Sequence, residues 1–370
     1  MASGSAPLRV IVLGGAGNFG ARIVRALQDD PAMELVAASR RGAAVPDAAD
    51  VRIARVDIDA VDLPAQLARL SPGLIVHCVG PFQGQDYRVA AAALRADAHY
   101  LDLADGRAFV AGFSEALSAD AIRAGRTAIS GASTLPGLSF AVVERLRQSL
   151  AHMHSVEIAI APGQRAPRGT ATLAAVFSYL GRPFPILRGG AWQRGWGWMD
   201  LRRIDFAFGR RWGALCDVPD LQLLPQHHPD LTDARFDAAL EIGAQHFVLW
   251  SVAALRRLGS PWPLERWATG LNRAAGWLER FGGDWGGMRV SVVGTTPAGA
   301  RLRRTWQLTA PALHGPEIPC MAAILLARRI ARGAAPGPGA HPCIGQLQLD
   351  DFTPEFACWG IRTRIDEQAA

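Results

Sequence analysis

An apolar strand that runs straight into a glycine-rich turn is the feature that most constrains this fold. Residues Leu8–Leu13 form a continuous apolar run, which is typical of a parallel strand buried on both faces. The turn Gly14–Gly20 follows at once, and a helical pattern begins directly after it. We therefore expect a strand, a tight turn and a helix, the unit from which doubly wound parallel sheets are built.

The turn itself carries a glycine pattern that suits a phosphate group. Gly15, Gly17 and Gly20 fit the spacing G-x-G-x-x-G, which permits a tight turn, close backbone approach to a pyrophosphate and close packing of helix on strand. The pyrophosphate would lie on unpaired N–H groups at the helix N-terminus. A glycine turn without a ligand is the alternative. We predict that a dinucleotide contacts the following residues: Gly14, Gly15, Gly17, Asn18, Phe19 and Gly20.

The end of the second predicted strand, Glu34–Ser39, distinguishes between the two nicotinamide dinucleotides. An NAD enzyme usually has an acidic residue there, which holds the ribose 2′-hydroxyl. This chain has Ser39, Arg40 and Arg41 instead, and arginine binds phosphate through charge-assisted hydrogen bonds. The sequence therefore favours NADP(H), although the two arginines could also be ordinary solvated cations. Asp57, which closes the third strand, is placed either to meet the adenine edge or to form a simple turn.

Alternating strand and helix patterns with short connections extend over the first third of the chain. Further strands are predicted at Val51–Val56, Gly73–Val79, His99–Leu103 and Thr127–Ser130, with helices at Ala21–Leu27, Leu63–Leu70 and Val89–Ala96. This rhythm predicts an α/β fold that opens with a Rossmann domain, a doubly wound parallel sheet.

From about residue 151 the rhythm changes, which indicates a second domain of α+β type. The predicted elements are a strand at Val156–Ala161, a helix at Thr170–Tyr179, antiparallel strands at Met288–Gly294 and Arg301–Thr309, a helix at Ile318–Ala331, and a linker or turn-rich loop at Gly333–Pro342.

Three segments of the first domain carry more specific motifs: His77–Phe82, His99–Leu103 and Gly131–Ser139. Together, over residues 8 to about 145, they resemble the saccharopine dehydrogenase-like NAD(P)-binding oxidoreductases. The resemblance implies a Rossmann domain at 1–150 and an inserted α+β substrate or dimerisation domain at 151–314. It also implies that the last helix and tail, 315–370, return to the first domain. The implied activity is nicotinamide-dependent oxidation or reduction.

The turn Leu135–Gly137 departs from the Asp-Pro-Gly of the enzymes that form or cleave saccharopine, and no histidine follows it. We therefore expect a different substrate. Ten of the eleven tryptophans lie between Trp192 and Trp306, which favours an apolar small molecule. The expected reaction is NADP(H)-dependent reduction of a C=C, C=O or C=N bond in an apolar or cyclic substrate. The alternative is a non-enzymatic, NADP(H)-sensing regulatory protein.

The residues that follow the fourth strand are candidates for contact with the cofactor, because ligands of open α/β sheets bind at the carboxyl ends of the strands. Gly80 would let the backbone approach the nicotinamide ribose, and Phe82 could form a wall. Cys78 is interpreted as a small core residue rather than a nucleophile. The full set of predicted contacts is Cys78, Val79, Gly80, Pro81 and Phe82.

Three residues of the first domain are candidates for the proton donor. Tyr100 and Asp102 alternate on the fifth strand and so share one face near the same sheet edge. A tyrosine hydroxyl, or a carboxyl group with a raised pKa, could deliver the proton that accompanies hydride transfer. Tyr87 is a third candidate. The alternative is that these residues only hold the strand-to-loop geometry.

Composition excludes several kinds of chemistry. All 39 basic residues are arginine, so a Schiff-base lysine and the Tyr-x-x-x-Lys pair of short-chain dehydrogenases are impossible. The five cysteines are scattered and form no C-x-x-C pair, which indicates reduced thiols in a cytoplasmic protein without a zinc site. His227 and His228 are interpreted as part of a solvated loop, so no metal is expected.

A helical pattern at 263–281 combines tryptophan with arginine. It could pack on its own domain, on a second subunit of a homodimer, or on a membrane surface as a peripheral contact. The net charge of +6 is spread along the chain, and we expect no nucleic-acid partner.

Overall fold

The computed structural model describes residues 6–167, 169–259, 280 and 282–370. The chain divides into two compact units, each made of two segments. The first unit comprises Met1–Gly137 and Glu317–Leu347, and the second comprises Leu138–Pro316 and Gln348–Ala370. The predicted 263–281 helix lies outside the described residues, apart from Arg280.

The first unit is built on a seven-stranded parallel sheet. Its strands are β1 (Leu8–Leu13), β2 (Met33–Ser39), β3 (Arg52–Arg55), β4 (Leu74–His77), β5 (His99–Asp102), β6 (Thr127–Ser130) and β15 (Gly339–Pro342). Their order is β15-β6-β5-β4-β1-β2-β3, with every neighbouring pair parallel. The strand order reverses between β1 and β4, and such a switch point is where doubly wound sheets bind their ligands. The predicted Rossmann fold is confirmed.

Helices cover this sheet and complete its core. They are α1 (Gly20–Leu27), α2 (Leu63–Leu70), α3 (Arg88–Arg95), α4 (Arg107–Ala124) and α9 (Ile318–Ala331). The apolar side of α1, formed by Ile23, Val24 and Leu27, is fully buried. Helix α9 is alanine-rich and contacts α1, so the small side chains let it enter the core of the unit.

The second unit is built on a seven-stranded mixed sheet. Its strands are β7 (His152–Ala161), β10 (Arg202–Phe206), β11 (Gly209–Leu215), β12 (Asp233–Leu240), β13 (Gly286–Thr295), β14 (Arg301–Ala310) and β16 (Arg362–Ala369), with a separate hairpin of β8 (Pro183–Arg188) and β9 (Ala191–Trp196). The strand order is β10-β11-β12-β7-β13-β14-β16. The central strand β7 runs parallel to β12 and antiparallel to β13. The predicted second domain of α+β type is therefore present, including the antiparallel pair β13 and β14.

The helices of the second unit are α5 (Ser139–Arg147), α6 (Thr170–Tyr179), α7 (Asp220–His227), α8 (Gly243–Arg257) and α10 (Thr353–Cys358). Two of the tryptophans, Trp198 and Trp306, are fully buried core residues. Trp192 and Trp285 are 51% and 42% exposed, so the tryptophans do not form one aromatic group.

Three expectations from the sequence differ from the structure. The first unit ends at Gly137, and residues 348–370 belong to the second unit because β16 pairs with β14 along its whole length. The stretch 333–342 is not only a linker, since its last four residues form β15 beside β6. His227 ends α7, and His228 is 5% exposed and stacks on Phe140, so this pair is not a solvated loop.

No helix among the described residues combines the length and the apolar character needed to cross a membrane.

Candidate functional site

The glycine turn is held close to the sheet by backbone contacts. Gly14 has a φ of +79°, a conformation that side chains disfavour, and its N–H donates to the Ala38 carbonyl of β2 at 2.8 Å. A Cβ atom at Gly15 would lie 2.9 Å from the Ala37 side chain, and one at Gly20 would overlap the Gly14 carbonyl. Side chains at Gly15 and Gly20 would therefore push the turn and α1 away from the strands.

The second glycine of the pattern has a different environment. Among the described residues, a Cβ built at Gly17 would meet one atom, the Gly14 carbonyl oxygen at a tight 3.0 Å, and the space beyond that contact is open. No side chain caps the N-terminus of α1, and its first turn has no acidic residue. Open space beside uncapped N–H groups fits a pyrophosphate, whose charge the helix N-terminus stabilises.

Asn18 and Phe19 lie in the same turn, and contacts with helices orient them. The Asn18 side-chain oxygen accepts a hydrogen bond from Arg22 at 2.7 Å, and Arg22 forms an ion pair with Glu317 at 2.8 Å. The Phe19 carbonyl accepts a hydrogen bond from the Cys320 thiol at 3.6 Å. These contacts tie the turn to α9, so the residues at 317 and 320 help to shape the predicted phosphate site.

Three exposed arginines stand at the ends of β2 and β3. Arg40 and Arg41 form no hydrogen bond or ion pair with any described residue. Arg55 pairs in register with Ser39, and its side chain lies against Gly42 in the turn after β2. The Ser39 hydroxyl accepts a hydrogen bond from the Ala43 N–H at 3.1 Å. Sequence reasoning missed Arg55, although its position at the end of the neighbouring strand could have identified it.

Asp57 lies at the carboxyl end of β3, where its carboxylate organises a turn. Its Oδ1 accepts a hydrogen bond from the Asp59 N–H at 3.1 Å, and its own N–H donates to the Gln66 side chain at 3.1 Å. This geometry favours the simple turn among the two interpretations of Asp57.

The segment after β4 meets the glycine turn at the switch point. A Cβ atom at Gly14 would lie 3.0 Å from the Val79 side chain and 3.4 Å from the Cys78 carbonyl. The Gln85 side-chain amide donates to the carbonyls of Val79 at 2.8 Å and Pro81 at 2.7 Å. Gln85 therefore fixes the Gly80-Pro81 backbone, a role that the sequence did not reveal.

Two of the predicted cofactor contacts after β4 differ in their burial. Cys78 is half-buried, and burial raises the pKa of its thiol, which therefore stays protonated. Phe82 is 4% exposed, and its ring packs against His77 at 5.1 Å and Phe109 at 5.5 Å. The Phe82 ring packs into the core beside the segment that follows β4. Its predicted role as a wall of the nicotinamide pocket finds no support in this geometry.

Tyr100 is buried, and its hydroxyl is paired with a histidine. The oxygen lies 2.9 Å from Nδ1 of His77, at the end of the neighbouring strand. Burial lowers the pKa of His77 to about 3, so the imidazole is neutral at physiological pH. The Tyr100 ring stacks on Phe113 at 5.9 Å. The pair is an uncharged internal hydrogen bond between β4 and β5.

One oxygen atom of Asp102 accepts hydrogen bonds from the segment after β5 and from the end of β6. Its Oδ1 accepts hydrogen bonds from the Gly131 N–H at 2.7 Å, the Ser130 hydroxyl at 2.9 Å and the Ala104 N–H at 3.0 Å. Its Oδ2 is buried and has no hydrogen-bond partner among the described residues. Burial raises the pKa of Asp102 to about 6, although these donors oppose the shift. The carboxyl group fixes the loops that follow β5 and β6.

The Tyr87 side chain is held by contacts within the first unit. Its hydroxyl donates to the Phe109 carbonyl at 3.0 Å, and its ring packs against Phe109 at 4.9 Å and Phe113 at 5.7 Å. The donor is therefore already used within the first unit.

The second unit contains an open cavity of about 620 Å³. Its walls include the rings of Phe208 and Trp285, and also Arg211, Arg362 and Glu241. The Arg211 guanidinium stacks on Phe208 at 4.7 Å and donates to the Pro162 carbonyl at 2.9 Å. Aromatic surface and positive charge thus stand side by side in this cavity.

We expect Asp102→Asn to change the pH dependence of stability. Burial raises the folded-state pKa of Asp102 from 3.8 to about 6, so the protonated carboxyl group stabilises the folded state. This stabilisation is fully present below pH ~4 and is lost as the pH rises through about 6. Relative to the Asn variant, the wild type should lose roughly 3 kcal/mol of unfolding free energy between those limits, at 1.36 kcal/mol for each pKa unit. Urea unfolding at several pH values measures this difference. The control variant Asp59→Asn replaces an exposed carboxylate, and its unfolding free energy should depend on pH as that of the wild type does. The same pH dependence in Asp102→Asn and the wild type would contradict the assignment.

Gly17→Ala and Gly20→Ala form a matched pair for the glycine turn. Among the described residues, a methyl group at Gly17 would meet the Gly14 carbonyl oxygen alone, at a tight 3.0 Å, so the variant should stay folded with a small loss of stability. It should lose tenfold or more of its NADPH affinity, about 1.4 kcal/mol. At Gly20 the methyl overlaps backbone, so the protein should lose roughly 1–3 kcal/mol of unfolding free energy. Fluorescence titration and thermal unfolding separate the two effects. Unchanged NADPH affinity in Gly17→Ala would refute the phosphate site.

Comparison with known proteins agrees with this geometry. Residues 10–129 match the family model described as the saccharopine dehydrogenase NADP binding domain. No curated protein sequence matches the chain.

Two solved structures are similar over nearly the whole chain. Apo saccharopine dehydrogenase (L-Glu forming) from Saccharomyces cerevisiae has 11% identity and a TM-score of 0.67, and the similarity covers 98% of this chain and 100% of that one. Homospermidine synthase from Legionella pneumophila, in complex with NAD, has 11% identity and a TM-score of 0.62, covering 98% of this chain and 91% of that one. At this identity the structures establish the fold alone.

The matched domain contains the glycine turn, the arginines after β2, and His77, Tyr100 and Asp102 of β4 and β5. It supports a nicotinamide dinucleotide as the cofactor and confirms the resemblance seen in the sequence. Residues 10–129 are thus similar to the saccharopine dehydrogenase NADP binding domain, the same kind of domain that the sequence motifs resemble.

Proposed function

We propose that the protein is an NADP(H)-dependent oxidoreductase that reduces a C=C, C=O or C=N bond of an apolar or cyclic small molecule. The observation that carries this proposal is the open glycine turn at the switch point of the sheet, within the segment that matches an NADP binding domain. Gly17 leaves room for a pyrophosphate, and α1 offers uncapped N–H groups to it.

The preference for NADP(H) over NAD(H) rests on charge at the end of β2. Arg40, Arg41 and Arg55 are exposed, and none has an acidic partner among the described residues. A 2′-phosphate would supply the missing counter-charge, and guanidinium groups bind phosphate through bidentate hydrogen bonds. Asp57, which follows β3, uses its carboxylate in a turn.

The chain's own groups prepare the site in distinct ways. A bound nicotinamide supplies the hydride for a reduction. The Gly80-Pro81 backbone, fixed by Gln85, is the segment that we propose contacts the nicotinamide ribose. We propose Asp102 as a positioning residue, because its Oδ1 holds the loops after β5 and β6 and its Oδ2 stays within the core.

The other two proton-donor candidates have weaker support. The Tyr100 hydroxyl is buried against His77, and the Tyr87 hydroxyl is bonded to backbone. Either role would require the hydroxyl to leave its present partner. We therefore propose neither tyrosine as the proton donor.

The proposed substrate class rests on the second unit. Phe208 and Trp285 present aromatic surface inside its cavity, which supports a substrate with a ring or an apolar chain. Arg362 lines the same cavity and has no partner among the described residues, so an acidic group on the substrate would also be accommodated. A homodimer and a cytoplasmic location remain predictions from the sequence.

We expect Arg40→Ala with Arg41→Ala to weaken NADPH binding by one to three orders of magnitude. Each charge-assisted hydrogen bond contributes about 1.5–3 kcal/mol, and each 1.4 kcal/mol is about tenfold in affinity. The affinity for NADH, which lacks the 2′-phosphate, should hardly change. Isothermal titration with both cofactors measures the two effects, and Arg69→Ala with Arg95→Ala, both exposed, is the charge-matched control. Equal losses for both cofactors, or a wild type that prefers NADH, would overturn the cofactor assignment.

Enzymatic turnover is the direct test of the proposed function. The wild type is incubated with NADPH deuterated at C4 and a panel of cyclic and aromatic ketones, enones and imines. We expect consumption of NADPH and transfer of deuterium into at least one product. Gly17→Ala, which should retain the fold, is expected to lose this turnover. Tight NADPH binding without deuterium transfer to any member of the panel would favour the regulatory, NADP(H)-sensing alternative.

A further inference from the structure

A cluster of potential metal ligands lies in the second unit, and none of its residues belongs to the candidate dinucleotide site. Glu144 lies on α5, His227 is the last residue of α7, and His228 follows it directly. One ligand atom from each of the three side chains lies within 4.8 Å of the other two. Adjacent residues diverge in an extended segment, but here the helix ends between them, and His228 adopts a φ of −124°. Both imidazoles therefore reach the Glu144 carboxylate.

The contact between His228 and Glu144 is a close pair of buried polar atoms. Nε2 of His228 lies 3.0 Å from Oε1 of Glu144, and His228 is 5% exposed. Both atoms are buried, and neither has a further hydrogen-bond partner among the described residues. A neutral imidazole nitrogen and a carboxylate oxygen each offer a lone pair, and a cation held between them would bind both.

The surroundings hold these side chains in a converging arrangement. The Phe140 ring stacks on His228 at 5.7 Å and meets His227 edge-on at 5.0 Å. Arg147 donates to Oε2 of Glu144 at 3.0 Å, which orients the carboxylate and leaves Oε1 to face the imidazoles. Supporting contacts of this kind orient the ligands of metal sites in proteins.

We propose that Glu144, His227 and His228 bind a divalent transition-metal ion such as Zn²⁺. Imidazole nitrogen and carboxylate oxygen bind zinc at about 2.0–2.2 Å, which places ligand atoms ~3.3 Å apart in a tetrahedral site. The His228–Glu144 separation of 3.0 Å is close to this value. His227 is exposed, so a rotation of its side chain can close the remaining gap. The ion links α5 to α7, with its fourth position open to water.

The proposal differs from the expectation that the chain has no metal site. The sequence alone suggests a solvated loop at the histidine pair, because it does not show that α7 ends between the two residues. Glu144, more than eighty positions away, could not be paired with them from spacing alone.

Metal titration of the full-length, tag-free protein tests the site. After treatment with a chelator and its removal, Zn²⁺ is titrated by calorimetry, and Co²⁺ is added in parallel for its visible spectrum. We expect one ion per chain and a Co²⁺ spectrum without thiolate absorption. His227→Ala and Glu144→Gln should each weaken Zn²⁺ binding by more than about 100-fold, beyond the 10–100-fold typical of supporting contacts. His152→Ala, an exposed histidine of the same unit, should bind as the wild type does.

Melting curves without metal distinguish loss of ligand from loss of fold. His227 is exposed and Glu144→Gln is isosteric, so both variants should melt near the wild type when no metal is present. Added Zn²⁺ should then raise the melting temperature of the wild type and of His152→Ala only. The absence of saturable Zn²⁺ binding to the wild type would overturn the proposal. Wild-type affinity in His227→Ala, or thiolate absorption that assigns the ion to cysteine, would also overturn it.

Discussion

Close backbone contact at the switch point determines the geometry of the dinucleotide site. The turn after β1 is bonded to β2 through the Gly14 N–H, and it also touches the segment after β4. The turn needs glycine for this close approach. A Cβ atom at Gly15 would meet Ala37 of β2, and one at Gly20 would meet the backbone of Gly14. The direction of α1 and the open space beside Gly17 follow from this packing. The glycine turn between β1 and α1 thus has no room for side chains at Gly15 and Gly20.

A second organising interaction lies on the other side of β4. The Asp102 carboxylate collects three donors from the segments after β5 and β6, so these loops share one acceptor. Burial keeps its proton affinity high, and the neutral His77–Tyr100 pair beside it adds no charge. Asp102, His77 and Tyr100 therefore form an internal hydrogen-bonded scaffold next to the segment that follows β4, while the arginines that could bind phosphate are exposed to solvent.

Local sequence patterns predicted the features that depend on neighbouring residues. The buried strand, the glycine spacing and the arginines after β2 were all recognisable, and the fold class followed from the alternation of elements. Features that depend on distant contacts were not. Gln85 acts through two backbone carbonyls, β15 forms only because β6 offers an edge, and His228 meets Glu144 across two helices. Spacing cannot show such contacts, because the fold brings these groups together.

The last strand of the second unit has a consequence for self-association. All eight residues of β16 are exposed, and arginine, aspartate and glutamate occur along it. It covers β14, whose residues include the buried Trp306 and Leu308. A charged outer strand repels the approach of another sheet edge, whereas an uncovered β14 would present an apolar template for strand addition. Strand β16 therefore protects this edge of the sheet against strand addition.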